Sequence, residues 1–148
     1  MSEHPVTVTY LDRQVARVSA VLPAAGAFDA APLELGCVGF HYVTLEIAYT
    51  RGGAGGDMQL KIELSPDTTG TDWYQSGLYK AANVVSGADT TSNIQREEIE
   101  YGSTAAGLER FTLAPLQLQG GAQRIRIPCQ ESGNLGAPGT VEIIAMFS

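Results

Sequence analysis

The sequence predicts an all-β domain, an antiparallel two-sheet sandwich of about eight strands. Several short segments alternate apolar and polar residues, which is the pattern of strands with one face in water. Seventeen glycines supply turns between these segments, and no segment has a convincing helical period. With 148 residues, of which 44% are hydrophobic, the chain is large enough for one packed core. Strands of this number with long loops favour a jelly-roll-like sandwich, and an up-and-down barrel or an immunoglobulin-like sandwich stays open.

The clearest alternation lies in residues 43–65. The segments 43–50 (VTLEIAYT) and 58–65 (MQLKIELS) each turn one apolar face inward. The glycine-rich RGGAGGD between them can reverse the chain, because glycine adopts positive φ without a steric clash. We therefore predict a β-hairpin. Its inward residues are Val43, Leu45, Ile47 and Tyr49 on the first arm and Met58, Leu60, Ile62 and Leu64 on the second.

The chain divides into an N-terminal arm or first strand(s) at 1–36 and a sandwich domain at 37–148. Residues 5–11 (PVTVTYL) alternate as a strand does. Residues 14–22 fit a helix or a strand, and their β-branched content together with Pro23 favours the strand. Residues 23–36 are small and interrupted by prolines. We expect an ordered, irregular arm that reaches away from the sandwich, with a flexible linker as the alternative.

The remaining segments extend the strand pattern to the end of the chain. The polar segment 94–102 suits an edge strand, since charge blocks pairing with other sheets. In 108–118 the apolar phase slips at Pro115, which predicts a bulge or an edge. The other predicted strands are 73–85, then 124–129 with Ile125, Ile127 and Cys129 inside and Arg124 and Arg126 outside, and 140–147, which has apolar residues on both faces.

Charge and cysteine content exclude several classes of partner. The net charge of −7 offers no basic face for the phosphates of nucleic acid or of an anionic membrane. No apolar run reaches the length of a membrane span, and the N-terminus lacks the pattern of a signal peptide. Cys37 and Cys129 lie far apart in the sequence. We expect both to be buried free thiols, with a disulfide between them as the alternative.

No catalytic or metal-binding constellation is present in the sequence. The two histidines are His4 and His41, and no Gly-x-Ser-x-Gly motif accompanies them. The loop from Asp67 to Asp72 could offer oxygen ligands to calcium but falls short of an EF-hand pattern, so its aspartates are expected to cap turns. The acidic residues of 97–100 suit a solvated edge. We therefore predict no enzyme, no cofactor and no metal.

One group of aromatic residues could contact a partner. Trp73 and Tyr74 follow a turn, and Tyr79 lies close in sequence. Sandwiches of this size can bind sugars by stacking a ring on an exposed aromatic side chain, so the three residues form a candidate glycan or partner contact. The alternative is that Trp73 belongs to the core.

Three longer strings carry a family resemblance. These are LKIELSPDTTGTDWYQ, ERFTLAPLQLQGGAQRIRIPCQESGN and APGTVEIIAMF. In strand rhythm and turn residues they resemble small β-sandwich proteins of tailed-bacteriophage particles, over about residues 38–148. The resemblance implies a non-enzymatic virion protein, most closely a capsid decoration or cement protein. It transfers no individual functional residue.

The expected function follows from this resemblance. A decoration protein would stabilise the capsid shell by bridging neighbouring subunits, with the major capsid protein or other virion subunits as partners. A homo-oligomer is expected, with a trimer favoured, assembled in the host cytoplasm and placed on the capsid exterior. Residues 1–36 would supply much of the contact. The alternatives are a tail-tip or fibre-adaptor protein and a carbohydrate-binding sandwich.

Overall fold

The computed structural model describes most of the chain. It describes the backbone alone for residues 77–79, 94–96 and 98, so the side chain of Tyr79 lies outside the described part. The predicted strand 5–11 lies outside the described part as well. The described ranges are 12–23, 27–53, 56–79, 94–96, 98–102, 107–118, 121–132 and 137–148.

All regular structure in these ranges is β-strand in antiparallel sheets, so the all-β prediction is confirmed. The described ranges contain thirteen strands in place of the expected eight or so, because several predicted strands are divided in two. The strands are β1 (Asp12–Val21), β2 (Leu35–Gly36), β3 (Tyr42–Thr50), β4 (Asp57–Lys61), β5 (Glu63–Ser65), β6 (Tyr74–Gln75), β7 (Gly77–Tyr79), β8 (Ile94–Arg96), β9 (Glu98–Tyr101), β10 (Leu108–Gln117), β11 (Arg124–Arg126), β12 (Cys129–Ser132) and β13 (Thr140–Phe147).

The first layer is a four-stranded sheet in the order β1-β13-β3-β10, called here the first sheet. Its central pair is in continuous register, with Ile143 opposite Ile47 and Phe147 opposite Val43. Residues directly opposite each other point to the same face. The two strands therefore turn all their odd-numbered residues from 43 to 49 and from 141 to 147 inward, where these residues are buried.

The second layer is built from two ladders that follow one another along the same chain segments. β5 pairs with β11, and β4 pairs with β12. Between them lies Pro128, which has no N–H to give to a ladder. The Pro128 carbonyl still accepts a hydrogen bond from the Lys61 N–H at 3.1 Å, so the two ladders stay connected. β2 and β6 extend the first ladder, β9 extends the second, and β7 pairs with β8 separately.

The core lies between the layers. Leu45, Ile47 and Ile143 of the first sheet are fully or almost fully buried, as are Leu60 and Ile125 of the second layer. All eight residues predicted to point inward from the segments 43–50 and 58–65 are buried. The predicted inner faces of these segments are therefore confirmed, and the two layers form a sandwich. The finer jelly-roll assignment stays a prediction.

The predicted hairpin over 43–65 is wrong. β3 pairs with β13 and β10, whereas β4 pairs with β12 and β9. The glycine-rich connection therefore carries the chain from one layer to the other. Its glycines serve close packing as well as chain reversal, since a Cβ on Gly52 would lie 1.8 Å from the Ala137 carbonyl oxygen. Alternation identified both buried faces but could not identify the pairing partner.

The expectation of an arm reaching away from the sandwich is wrong for β1. The segment predicted as a helix or a strand at 14–22 is strand as far as Val21. This strand, β1, pairs with β13 at the edge of the first sheet. Leu35, near the end of the expected arm, pairs with Ile125 and is buried in the core. Residues 12–23 and 27–36 therefore belong to the sandwich.

A buried ion pair fixes β1 to the second layer. Arg17 is 8% exposed, and its Nε and Nη2 donate to the two carboxylate oxygens of Asp29 at 2.9 and 3.2 Å. The same carboxylate accepts the backbone N–H of Cys129 at 3.0 Å. The remaining guanidinium donors bond the carbonyls of Ala20, Val21 and Val141. One arginine and one aspartate thus connect an edge strand to both layers.

Two predictions about edges are confirmed. β10 forms the second edge of the first sheet, and its register with β3 slips between Leu113 and Leu116, next to Pro115. β9 is an edge of its ladder, with Ile99 half-buried and Glu100 exposed. β13 is covered by the core on its inner face, while Ile144 and Met146 on its outer face are only half-buried.

Replacing Asp29 with Asn should leave the Arg17 charge buried without a counter-charge. We expect Asp29→Asn to lower the free energy of unfolding by about 3 kcal/mol, since breaking a buried pair costs more than the pair itself contributes. Urea unfolding followed by circular dichroism measures the change. Asp72→Asn, at an exposed position, is the matched control and should stay within about 0.5 kcal/mol of the parent protein. Equal stability of the two variants would contradict this role of Asp29.

Candidate interaction surfaces

Trp73 is half-buried and lies against two arginines. The guanidinium carbons of Arg124 and Arg126 lie 4.7 and 4.3 Å from the centre of its ring system. These distances fit cation–π contacts. The two arginines belong to β11 and are separated by one residue, so they lie on the same face of the strand. Trp73 therefore covers the outer face of β11, and part of its ring surface is already occupied.

The other predicted aromatic contacts are placed differently. Tyr74 starts β6, pairs with Leu64 and is 64% exposed. Tyr79 ends β7, where its backbone pairs with that of Ile94. The structure thus separates the environments of Trp73 and Tyr74, which are adjacent in sequence. Glycan binding by these residues stays a prediction.

Arg124 lies on the outer face of β11, which is the face opposite to that of Ile125, as alternation predicts. It is nevertheless only 8% exposed. The loop 66–73 then covers that face. The Arg124 guanidinium donates to the Asp67 carbonyl at 2.7 Å and to the Gly70 carbonyl at 3.0 Å. It also bonds the Glu34 carboxylate at 2.8 Å and the Ser65 hydroxyl at 3.2 Å.

These bonds bear directly on the calcium alternative for the loop Asp67–Asp72. Two of the loop carbonyls that could coordinate a cation already accept N–H groups of Arg124. Ser65 also caps the turn, since its hydroxyl accepts the Asp67 N–H at 3.2 Å. Within the described residues, no group of three His, Cys, Asp or Glu side chains is arranged to hold a metal. The loop is thus organised around a fixed guanidinium group.

A second polar group is buried near the glycine-rich connection. Glu131 is fully buried, and one of its carboxylate oxygens accepts the Gly139 N–H. Among the residues that the structure describes, its other oxygen has no hydrogen-bond partner, and neither has the buried hydroxyl of Tyr49. A Cβ on Gly56 would lie 2.0 Å from that second oxygen, so only glycine fits there. Burial, together with the nearby carboxylates of Glu131 and Asp57, raises the pKa of Tyr49 to about 12.

The remaining groups with catalytic potential in the described ranges are two cysteines and one histidine. Cys37 and Cys129 are both buried and unpaired, so the free-thiol prediction is confirmed. Burial raises the pKa of both thiols, that of Cys129 to about 12, which keeps them protonated and poorly nucleophilic. His41 is exposed, and its backbone bonds Ser148 and Leu118.

An apolar surface follows β1 at the edge of the first sheet. Val15, Val18 and Val21 are 44%, 63% and 61% exposed. Two register shifts give β1 two extra residues relative to β13, so Val15 lies opposite Ile144 and Val21 opposite Thr140. These two partners share the outer face of β13. The bulges therefore place Val15 and Val21 on this outer face, and Val18 is exposed between them in sequence. These three residues are called here the valine stripe.

Beside the valine stripe lies a hollow of about 240 Å³. Val18 and the 45%-exposed Leu33 line it, and the Arg17–Asp29 pair lies at its base. Because this pair is internally neutralised, the hollow combines apolar walls with a satisfied polar base. No local pattern predicts this surface, since valines three apart suit a helix as well as a strand.

A second hollow, of about 400 Å³, opens on the outer face of the first sheet. Its walls carry the charged side chains of Arg13, Glu46, Arg110 and Glu142, and Ala48 lies in the strand between the last two. Arg13 and Glu46 form an exposed ion pair at 2.7 Å.

No protein-family model matches this chain, and searches of curated proteins and of solved structures likewise gave no match. The described residues contain no helix of the length and hydrophobicity that crossing a membrane requires.

Trp73 and Tyr74 should respond differently to truncation. Trp73→Ala removes the aromatic cover of two arginines, so we expect it to lower the free energy of unfolding by about 1–3 kcal/mol. Tyr74→Ala, at an exposed position, should change it by no more than about 0.5 kcal/mol. Denaturant titration of both variants measures the difference. An effect of Trp73→Ala as small as that of Tyr74→Ala would refute the structural role of Trp73.

Tyr49 should make stability fall at high pH. Its pKa is about 12 in the folded protein against 10 for the ordinary side chain, so the folded state holds the proton to higher pH. Its contribution is complete below the lower pKa and is lost as the pH rises from about 10 to about 12. Tyr49→Phe should reduce this loss. At neutral pH it should not destabilise the protein, because the hydroxyl has no partner in the described part of the chain. Unfolding by urea across this pH range tests both expectations, with Tyr74→Phe as the exposed control.

Proposed function

We propose that this chain is a non-enzymatic structural subunit of a tailed-bacteriophage particle. In this proposal it is a capsid decoration protein that binds the major capsid protein and bridges neighbouring subunits of the shell. The resemblance of residues 38–148 to small sandwich proteins of such particles gives the class of assembly. The valine stripe is the structural observation that carries the proposal.

The valine stripe has the chemistry of a contact surface. Three valines of β1 expose apolar side chains, and Val18 lines a hollow together with the exposed Leu33. Contiguous exposed apolar groups mark interaction sites more often than single ones do. The only charge in the stripe's span 15–21 is Arg17, which is paired internally with Asp29. A partner can therefore cover the stripe without burying an unpaired charge.

The contact expected from an arm at residues 1–36 comes, in this proposal, from a folded surface. Val15, Val18 and Val21 lie in that range, but they belong to β1, which is paired with β13. A rigid surface loses less conformational entropy on binding than a segment that orders on contact. Deleting residues 1–36 would remove core residues as well, so point substitutions are the proper test.

Particle incorporation tests the proposal. Density-gradient-purified phage particles from the source host are analysed by mass spectrometry, and an antibody against the chain is used for immunogold microscopy. Label over the whole capsid exterior is the expected result. Label confined to the tail tip would replace decoration with the fibre-adaptor alternative, and absence of the chain from the particles would overturn the proposal.

Val18→Asp tests the contact surface itself. A carboxylate in the centre of the valine stripe would have to be desolvated on docking, so we expect rebinding to particles depleted of the protein to fall at least about tenfold. Val38→Asp is the matched control, because Val38 is 60% exposed against 63% for Val18 and lies outside the stripe. Co-sedimentation measures both. Equal binding of the two variants would exclude the stripe as the contact.

A further inference from the structure

A row of opposite charges crosses the outer face of the first sheet. Ala48 of β3 lies directly opposite Glu142 of β13 on one side and opposite Arg110 of β10 on the other. Both charged residues are exposed, and neither takes part in an ion pair within the described part of the chain. The hollow of about 400 Å³ lies at this row.

The row is self-complementary. Neighbouring strands are about 4.8 Å apart, so Arg110 and Glu142 lie at equal distances on either side of β3. A two-fold axis parallel to β3 and passing over Ala48 exchanges the two sides in a facing copy. Arg110 of each copy then lies over Glu142 of the other, and the two Ala48 side chains face each other across the axis.

We propose that a second copy of this chain docks face to face on this row, related by that two-fold axis. Packed sheets are about 10 Å apart, a separation that an arginine and a glutamate side chain span between them. The small side chain of Ala48 leaves the space in which the two salt bridges can form. The hollow on each copy is then filled by the charged side chains of the other.

Glu46, the charged residue of β3, would meet its own copy across the axis, and its charge is already neutralised. Glu46 lies on the same face of β3 as Ala48, so two Glu46 side chains would face each other in the pair. Each Glu46 forms an ion pair with Arg13 of its own copy at 2.7 Å. The other outward residues of β3 near the axis, Thr44 and Thr50, are small and uncharged, so no unpaired repulsion lies along it.

The overall charge favours this face over others for self-association. At −7 the chain repels its own copies, so a contact surface with balanced charge is required for close approach. The row supplies one positive and one negative group from each copy. This inference names a homo-oligomeric contact and in that respect rests on the assembly role proposed above. It gives a two-fold pair, which differs from the trimer that the family resemblance implies.

Sedimentation velocity on the purified full-length chain, from about 10 µM to about 1 mM, tests the pair, a range that detects weak interfaces. The expected species has twice the 15.6 kDa mass of one chain. Arg110→Glu alone should raise the dissociation constant at least about tenfold, because it places glutamate over glutamate. Glu142→Arg alone should do the same, because it places arginine over arginine.

Mixing the two single variants is the decisive experiment. In the mixed pair two glutamates of one copy meet two arginines of the other, so dimer formation should return. The double variant Arg110→Glu/Glu142→Arg should likewise dimerise by itself. Glu100→Arg, an exposed charge reversal on β9, is the control and should leave the parent dimer intact apart from its effect on net charge.

Several results would overturn the inference. These are a parent chain that is monomeric or trimeric throughout the range, single reversals that behave like Glu100→Arg, and a mixture that stays monomeric. Thermal unfolding of each variant confirms that the fold is intact. Particle incorporation is measured separately, so loss of the two-fold contact with retained incorporation would reject this inference and leave the proposed function standing.

Discussion

The position of β1 depends on the desolvated guanidinium group of Arg17. A bulge in β1 turns both Ala16 and Arg17 toward the interior, so the five N–H donors of the buried guanidinium require acceptors within the protein. Asp29 supplies two, and three backbone carbonyls supply the rest. Because the same carboxylate also accepts the Cys129 N–H, the charge fixes an edge strand to both layers. The bulges that accompany this arrangement bring Val15 and Val21 onto one exposed face.

A similar principle organises the second layer. Pro128 interrupts a long ladder into two, and the chain on either side stays aligned through the Lys61–Pro128 bond. Arg124 then binds the carbonyls of the loop 66–73 and holds Trp73 over β11. In both layers a buried arginine, with backbone carbonyls as its main acceptors, gives irregular segments a defined conformation. Such segments form no core of their own, so fixed charges replace hydrophobic packing as their anchor.

The sequence predicts local faces well and long-range pairing poorly. Period-two alternation identified the buried sides of β3, β4 and β13, because the pleat alone determines which side chains share a face. It could not distinguish a hairpin from two strands in different layers, since both bury the same residues. Alternation correctly placed Arg124 on the face of β11 that is opposite to the face of Ile125. It could not show that Arg124 is buried, because the cover comes from a distant loop. The row through Ala48 joins residues 48, 110 and 142, and no local pattern specifies that register.

Both edge strands of the first sheet carry features that disfavour association through the edge, so the faces are better suited to association. β10 carries Pro115 and a register slip, while β1 carries two bulges and an inward-pointing arginine. Each of these features hinders the addition of another strand. Backbone pairing with a partner is therefore disfavoured at both edges, and side chains on the outer face are left as the means of contact. That face has exposed valines at one edge and a balanced charge row at its centre. In the two proposals above, an apolar surface of another protein covers the valines along β1 and a second copy covers the row over β3.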